Sequence, residues 1–248
     1  MSEWFENSDF WVNYAPIMFD SQQWAQASGT AEALYNIAGV KKGAKVLDVC
    51  CAVGRISVEL ALLGLDVTGV DITEPFLEAA RESAADEGVK INFINQDMRT
   101  FDGKESYDMA VNVYNSFGYC DKIEDDMKIL ERVYHSLKKG GTFILECISR
   151  ETAIMYFTEG EWFDRAGKTV LTEFGVVGAW EGLRSKWILI DKESGKRIEH
   201  EFVQRLYSAA NLRDELLKIG FREVEVYGGF NKIPYDQKAK TMVLVAKK

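Results

Sequence analysis

The residues of this chain whose types and spacing could do chemistry lie in two short stretches. One is VLDVCCAVGR, Val46 to Arg55; the other is VTGVD, Val67 to Asp71. Asp48 stands near the end of an apolar run. Cys50, Ala52 and Gly54 follow at alternate positions, small residues that let a backbone turn tightly and approach a ligand. A helix opening at Arg55 adds unpaired N–H donors beside that turn. Asp71 closes the next apolar run, where a carboxylate can accept two hydrogen bonds from the hydroxyls of a ribose. A dinucleotide fingerprint does not fit, because G-x-G-x-x-G cannot be laid on Gly54 in any register. Its partners would be Ile56 and Glu59, or Ala52 and Ser57, or Val49 and Cys51.

The elements that must hold these residues follow from pattern. Residues 45–50 read as a strand, 55–63 as a helix ended by Gly64, and 66–71 as a second strand. A helix from Thr73 to about Glu87 carries Pro75 in its first turn. Strands are expected at 90–94, 107–113 and 142–148, with a helix at 123–137 before the last. Upstream, a helix is expected over 21–37, ended by Gly39. Strands alternating with helices imply a doubly wound, mostly parallel α/β sheet covered on both faces. The alternation stops near Ser149. Strands at 169–176, 183–191 and 196–207, with a hairpin loop in DKESGK, predict an antiparallel insert over 149–207. A helix at 209–219 and strands at 221–227 and 241–246 return to the sheet. The division expected is 1–148 with 208–248 as one domain, and 149–207 as a cap.

Composition narrows the function. The net charge is −9 and the lysines and arginines are scattered. A nucleic acid or an anionic membrane is therefore not the expected partner, since phosphate neutralisation needs a cationic surface. The four cysteines lack metal-ligand spacing and only two histidines occur, so no metal site is expected. No signal-peptide layout or bilayer-length apolar run is present, and a reducing cytoplasm is the expected compartment.

At this point the chain resembles the class I S-adenosylmethionine-dependent methyltransferases, in particular small-molecule-type members with a late β insert. WVNYAPIMFD, NQDMRTF, YDMAVNVYNSFGY, LKKGGTFILE and QRLYS stand in family order beside the two stretches above. The resemblance implies a Rossmann-like sheet of order 3-2-1-4-5-7-6 with the seventh strand antiparallel, and S-adenosyl-L-methionine as cofactor. It implies that Asp48, Cys50 and Ala52 line the methionine half, with Gly54 allowing the turn and Arg55 among the cofactor-binding residues. Asp71 would hold the ribose, Ile72 and Met98 would pack on adenine, and Asp97 would meet its amino group. Asn112, Val113 and Tyr114 would border the methionine from the fourth strand, and Tyr14 would close over the cofactor. The family places glycine where this chain has Cys50 and Ala52, and a negative φ is expected at Ala52.

The acceptor is expected to be a small molecule bearing a nucleophilic N, O or C. Tyr14, Tyr119 and His200 are the candidate bases. Arg205 and Tyr207 are expected to meet the acceptor from the insert. Plainer readings stand beside these. His200 shares a strand face with Ile198, Phe202 and Leu206, as a packed histidine would. The cysteine pair reads as small buried side chains. The aromatics crowded into 1–24 and 151–207 could cage a cationic amine, but the favoured reading is that they form the core of a small cap. A nicotinamide-dependent oxidoreductase and a non-catalytic adenosyl-binding protein are the rival readings.

Overall fold

The computed structural model describes residues 3–248. After one 3₁₀ turn at Trp4–Glu6 come α1 (Ser8–Met18), α2 (Ser21–Ala25) and α3 (Ala27–Ala38). The alternating region follows: β1 (Lys45–Val49), α4 (Arg55–Leu62), β2 (Asp66–Asp71), α5 (Glu74–Asp86), β3 (Asn92–Asn95), β4 (Tyr107–Asn112), α6 (Ile123–Ser136) and β5 (Leu137–Cys147). Next are α7 (Arg150–Met155), β6 (Gly160–Arg165), β7 (Lys168–Val177), β8 (Gly182–Asp191) and β9 (Arg197–Arg205). The chain ends with α8 (Ala209–Ile219), β10 (Glu223–Tyr227) and β11 (Met242–Lys247).

Seven strands form one sheet in the order β10-β11-β5-β4-β1-β2-β3, with β11 antiparallel to both neighbours. This is the expected 3-2-1-4-5-7-6 order once the sheet's own strands are counted. β1 shows why it is central. Val46 faces α3 and α4 among Leu34, Ile56 and Leu60, while Leu47 and Val49 face Leu130 of α6 and Leu212 of α8. Both faces are covered, so the strand reads as an unbroken apolar run.

The remaining strands, β6 to β9, form an antiparallel meander. Its face toward the N-terminus buries Val170 and Leu189 against Phe10, Tyr14 and Ile17 of α1. The aromatic N-terminal segment and the insert thus share one small core beside the main sheet.

Three local expectations are corrected. The helix over 21–37 is broken at Gln26. The Gln23 carbonyl, which would accept from residue 27 in a continuous helix, accepts from the Arg55 guanidinium at 2.7 Å. β5 begins at Leu137, because a register shift against β4 keeps the Lys138–Gly141 segment in the strand. The insert contains α7, capped by Ser149, and a fourth strand, β6, whose Trp162 is 70% exposed. An outward-facing tryptophan removes the alternation that would have shown the strand. No helix among the described residues is long and apolar enough to cross a membrane.

Candidate active site

Past the end of β1 the chain turns through Cys50 (φ 58°), Ala52 (φ 49°) and Gly54 (φ 73°), three left-handed residues at alternate positions. The negative φ expected at Ala52 is therefore corrected. Two hydrogen bonds to β2 force the turn: Cys51 N–H donates to the Val70 carbonyl at 3.1 Å, and Ala52 N–H donates to Asp71 Oδ2 at 2.8 Å. Tertiary pairing overrides the local preference of alanine, at a cost of roughly 1–2 kcal/mol. Gly54 is required on two counts, since a Cβ there would also lie 2.8 Å from the Ala80 Cβ of α5. Cys51 packs against Gly69, where a Cβ would meet its Sγ at 2.8 Å. All four cysteines are free, and burial raises the thiol pKa of each.

Asp71 is 8% exposed; its second oxygen, Oδ1, accepts from Thr73 N–H at 2.8 Å. Each oxygen keeps a lone pair for a ligand hydroxyl. Burial raises its pKa despite these bonds. Asp48 is 2% exposed and accepts from Ser57 Oγ at 2.6 Å. Burial first, and then the charge of Asp71, push its pKa up to about 7. Asp97 is gripped by Arg99, whose Nε and Nη2 reach Asp97 Oδ2 at 2.8 and 2.5 Å. Arg99 also reaches Glu3 and Glu6, at 3.2 and 2.9 Å, and so ties the loop after β3 to the N-terminal turn.

These groups line one cavity of about 620 Å³, within the roughly 300–1,000 Å³ typical of small-ligand sites. Asp48, Cys50, Ala52, Arg55, Asp71, Ile72, Asp97, Met98, Val113, Tyr114 and Tyr119 are on its wall. Gly54 shapes the turn without lining it. The cavity continues beneath Trp4, Phe10 and Trp11 of the N-terminal segment and Phe163, Trp187 and Phe202 of the insert.

Besides Gly54, five expected site residues lie off the cavity wall. Tyr14 is fully buried and its hydroxyl donates to the Trp187 carbonyl at 2.7 Å, tying α1 to β8; burial pushes its pKa up to about 12. His200 packs on Phe10 with centroids 4.3 Å apart, beneath α1 rather than toward a ligand, and burial lowers its pKa. Arg205 donates from Nη2 to the Asp121 carbonyl at 2.8 Å, and the Tyr207 hydroxyl donates to Asp126 Oδ2 at 2.8 Å. Arg205 thus fastens the end of β9 to the segment before α6, and Tyr207 fastens the residues after β9 to α6 itself. Asn112 spends its amide N–H groups on the Val49 and Ser116 carbonyls, at 3.2 and 3.3 Å, bridging β1 to the loop after β4.

Two groups on the wall escaped the reading of the sequence. Glu146, near the end of β5, accepts from Tyr114 N–H at 2.7 Å and from the Thr241 hydroxyl. It pins the consecutive left-handed residues Tyr114 and Asn115 (φ 60° and 65°). Burial raises its pKa. An acid in the buried run TFILE was the available signal. Gln204 of β9 exchanges amide hydrogen bonds with Asn115, at 2.9 and 3.0 Å, joining insert to loop. No sequence signal announces a pair 89 residues apart.

Residues 46–141 match a family profile described as a methyltransferase domain. The chain superposes on an S-adenosylmethionine-dependent methyltransferase from Clostridium acetobutylicum with a TM-score of 0.78, over 96% of this chain and 97% of that one, at 17% identity. The chain has the class I S-adenosylmethionine-dependent methyltransferase fold. A second structure of this fold, the amino pentose methyltransferase CalS10 from Micromonospora echinaspora with S-adenosylmethionine bound, aligns with a TM-score of 0.69 at 17% identity, over 96% of each chain. Among curated sequences, a Geobacillus sp. (strain WCH70) protein provisionally named a methyltransferase is 34% identical over 107 residues, 43% of each chain. The chain spans about half the length of the curated relatives it first matches. The methyltransferase domain so matched contains the Asp48–Gly54 turn, Asp71 and Asp97; the insert lies outside it.

Proposed function

We propose that the chain is an S-adenosylmethionine-dependent methyltransferase whose acceptor is a small molecule. One observation carries the reading. A single cavity runs from Asp71 and Asp97, past the left-handed turn at 50–54, to the underside of the insert. Such a shape suits an elongated cofactor with an acceptor at its far end.

The residues fit the cofactor. The turn brings backbone close enough for contact, Asp71 keeps free lone pairs for two ribose hydroxyls, and Ile72 and Met98 offer apolar flanks for a base. When bound, the sulfonium of S-adenosylmethionine supplies an electrophilic methyl group. The aromatic roof excludes water, and the Val113–Tyr119 loop with the underside of the insert orients the acceptor. Of the three candidate bases only Tyr119 is on the wall, and burial raises its phenol pKa above the usual range. It therefore positions an acceptor through its hydroxyl, and the acceptor brings its own lone pair. In this reading residues 1–148 and 208–248 bind the cofactor and 149–207 form the acceptor cap.

The test uses methyl-labelled S-adenosylmethionine and a cell extract split by size. Label entering the low-mass fraction supports the proposal. Label entering nucleic acid or protein instead would contradict a small-molecule acceptor.

A further inference from the structure

The insert lays one row of its sheet over the cavity. Phe174 of β7, Ser185 of β8 and Phe202 of β9 are opposite one another across the strands, so their side chains share a face, and all three line the cavity. A small residue between two rings makes a notch. At the backbone the two phenylalanines stand two strand spacings apart, about 9–10 Å. A planar ring in van der Waals contact with both needs about 7–8 Å, so the notch admits one edge-on.

The face of Phe202 toward the notch is free. Its one stacked neighbour among the described residues is Trp4, at 4.5 Å between centroids and 20° between planes. Trp4 also meets Tyr119 at 4.8 Å. Tyr119 follows Gly118, whose carbonyl accepts from Arg205 N–H at 2.7 Å on the edge of β9 away from β8. Trp4 therefore covers Phe202 from the outer side, and the side over Ser185 stays open. Ser185 itself is 5% exposed, and its hydroxyl has no hydrogen-bond partner among the described residues. It is not one of the unpartnered atoms sealed from solvent, such as Trp187 Nε1. The hydroxyl is therefore open to the cavity that Ser185 lines.

The rest of the roof is poor in polar partners. Among the described residues, neither the N-terminal segment nor the insert puts a carboxylate on the cavity wall, and Arg165 there is paired with Asp20 at 3.2 Å. The Gln204 amide N–H groups are spent on Asn115 Oδ1 and the Phe117 carbonyl, at 3.0 and 2.8 Å. A sugar would bury several hydroxyls against one open partner, and each left unpaired is costly. A protonated amine would meet rings but no counter-charge in the roof. A flat ring needs neither, and gains stacking on two sides.

We propose that this notch seats the acceptor and that the acceptor is a planar aromatic molecule, its ring between Phe174 and Phe202 and a polar substituent on the Ser185 hydroxyl. The inference rests on the methyltransferase reading above and deepens it by naming the acceptor's class.

The test titrates three probes into the chain saturated with S-adenosylhomocysteine: 2-naphthol, its saturated counterpart decahydro-2-naphthol, and glucosamine. The first two share a carbon skeleton and a hydroxyl and differ in flatness. Calorimetry should show 2-naphthol binding about tenfold or more tighter than the saturated alcohol, as two ring contacts would give, and no heat with glucosamine. Phe174→Leu should cut that preference about threefold or more, while S-adenosylhomocysteine affinity, the control for folding, stays within about threefold. If Phe174→Leu does not fold, Ser185→Leu, which fills the notch from its open side, should weaken 2-naphthol about tenfold or more with the same control. Saturated alcohol binding as tightly as 2-naphthol would overturn the proposal, by reducing the notch to apolar space. Glucosamine binding more tightly than 2-naphthol would overturn it in favour of an amino sugar. An undiminished preference in folded Phe174→Leu, or undiminished 2-naphthol binding in folded Ser185→Leu, would overturn it by placing the ring elsewhere. Binding of S-adenosylhomocysteine with none of 2-naphthol would overturn this inference alone. Failure to bind S-adenosylhomocysteine would overturn the methyltransferase reading itself, and this inference with it.

Discussion

Replacing Ala52 by glycine removes a Cβ from a residue held at φ 49°. A left-handed backbone costs an L-residue about 1–2 kcal/mol that glycine does not incur. Against this, glycine loses more chain entropy on folding, about 0.5–1 kcal/mol. Ala52 is only half-buried, so less than the roughly 0.8 kcal/mol of one buried methylene is lost with its methyl. The bond from Ala52 N–H to Asp71 survives the change. The net expectation is a gain of up to about 1 kcal/mol, or a midpoint raised by about 1–4 °C for a chain of this size. Gly54→Ala, two residues on, should go the other way. It imposes the same left-handed cost and drives a Cβ to 2.8 Å from Ala80, for a loss of about 2–5 kcal/mol. Urea and thermal denaturation of the two variants measure both. A Gly54→Ala protein as stable as the parent, or an Ala52→Gly protein less stable by more than about 1 kcal/mol, would refute the strain argument.

Asp71→Asn should weaken S-adenosylhomocysteine binding by about 1.5–3 kcal/mol, because a charged acceptor of ribose hydroxyls becomes a neutral one; unchanged calorimetric affinity in a folded variant would place the ribose elsewhere. Tyr14→Phe should cost about 1 kcal/mol in urea denaturation, through the lost bond to the Trp187 carbonyl, and leave cofactor affinity unaltered. His200→Phe should be neutral or stabilising, since it removes a buried Nε2 that has no partner among the described residues; a clear fall in the denaturation midpoint would count against this. The Asp48 carboxyl binds its proton more tightly folded than unfolded, so it favours the folded state at low pH, and that contribution fades as pH rises from about 4 to about 7. Asp48→Asn should therefore gain stability relative to the parent between pH 4 and pH 8, and a constant difference across that window would show that Asp48 is not held protonated.

Much of the sheet was legible because each central strand is buried on both faces and each helix carries a periodic stripe, as with Val46, Leu47 and Val49 of β1. The Asp48–Gly54 turn and Asp71 were legible as neighbours on adjacent strands. Their dihedral angles were not. The left-handed Ala52 is imposed by Asp71, nineteen positions away, and no local propensity encodes such a bond. That Tyr14, His200, Arg205 and Tyr207 lie off the cavity wall was not legible for a related reason. Which way these side chains face depends on how α1 docks on the insert, as when the Tyr14 hydroxyl meets the Trp187 carbonyl across 173 positions. β6 was missed because Trp162 faces outward and breaks the expected alternation. Glu146 was visible as an acid in a buried strand, but its purpose appears only when Tyr114 and Thr241 come to meet it.

The central claim is that the cavity over Asp71 and the 50–54 turn takes an adenosyl sulfur compound. Isothermal calorimetry of the intact chain with S-adenosylhomocysteine, and separately with oxidised nicotinamide dinucleotide, tests it most directly. One-to-one binding of S-adenosylhomocysteine and no heat of binding with the dinucleotide are expected. Saturable binding of the dinucleotide with none of S-adenosylhomocysteine would contradict it.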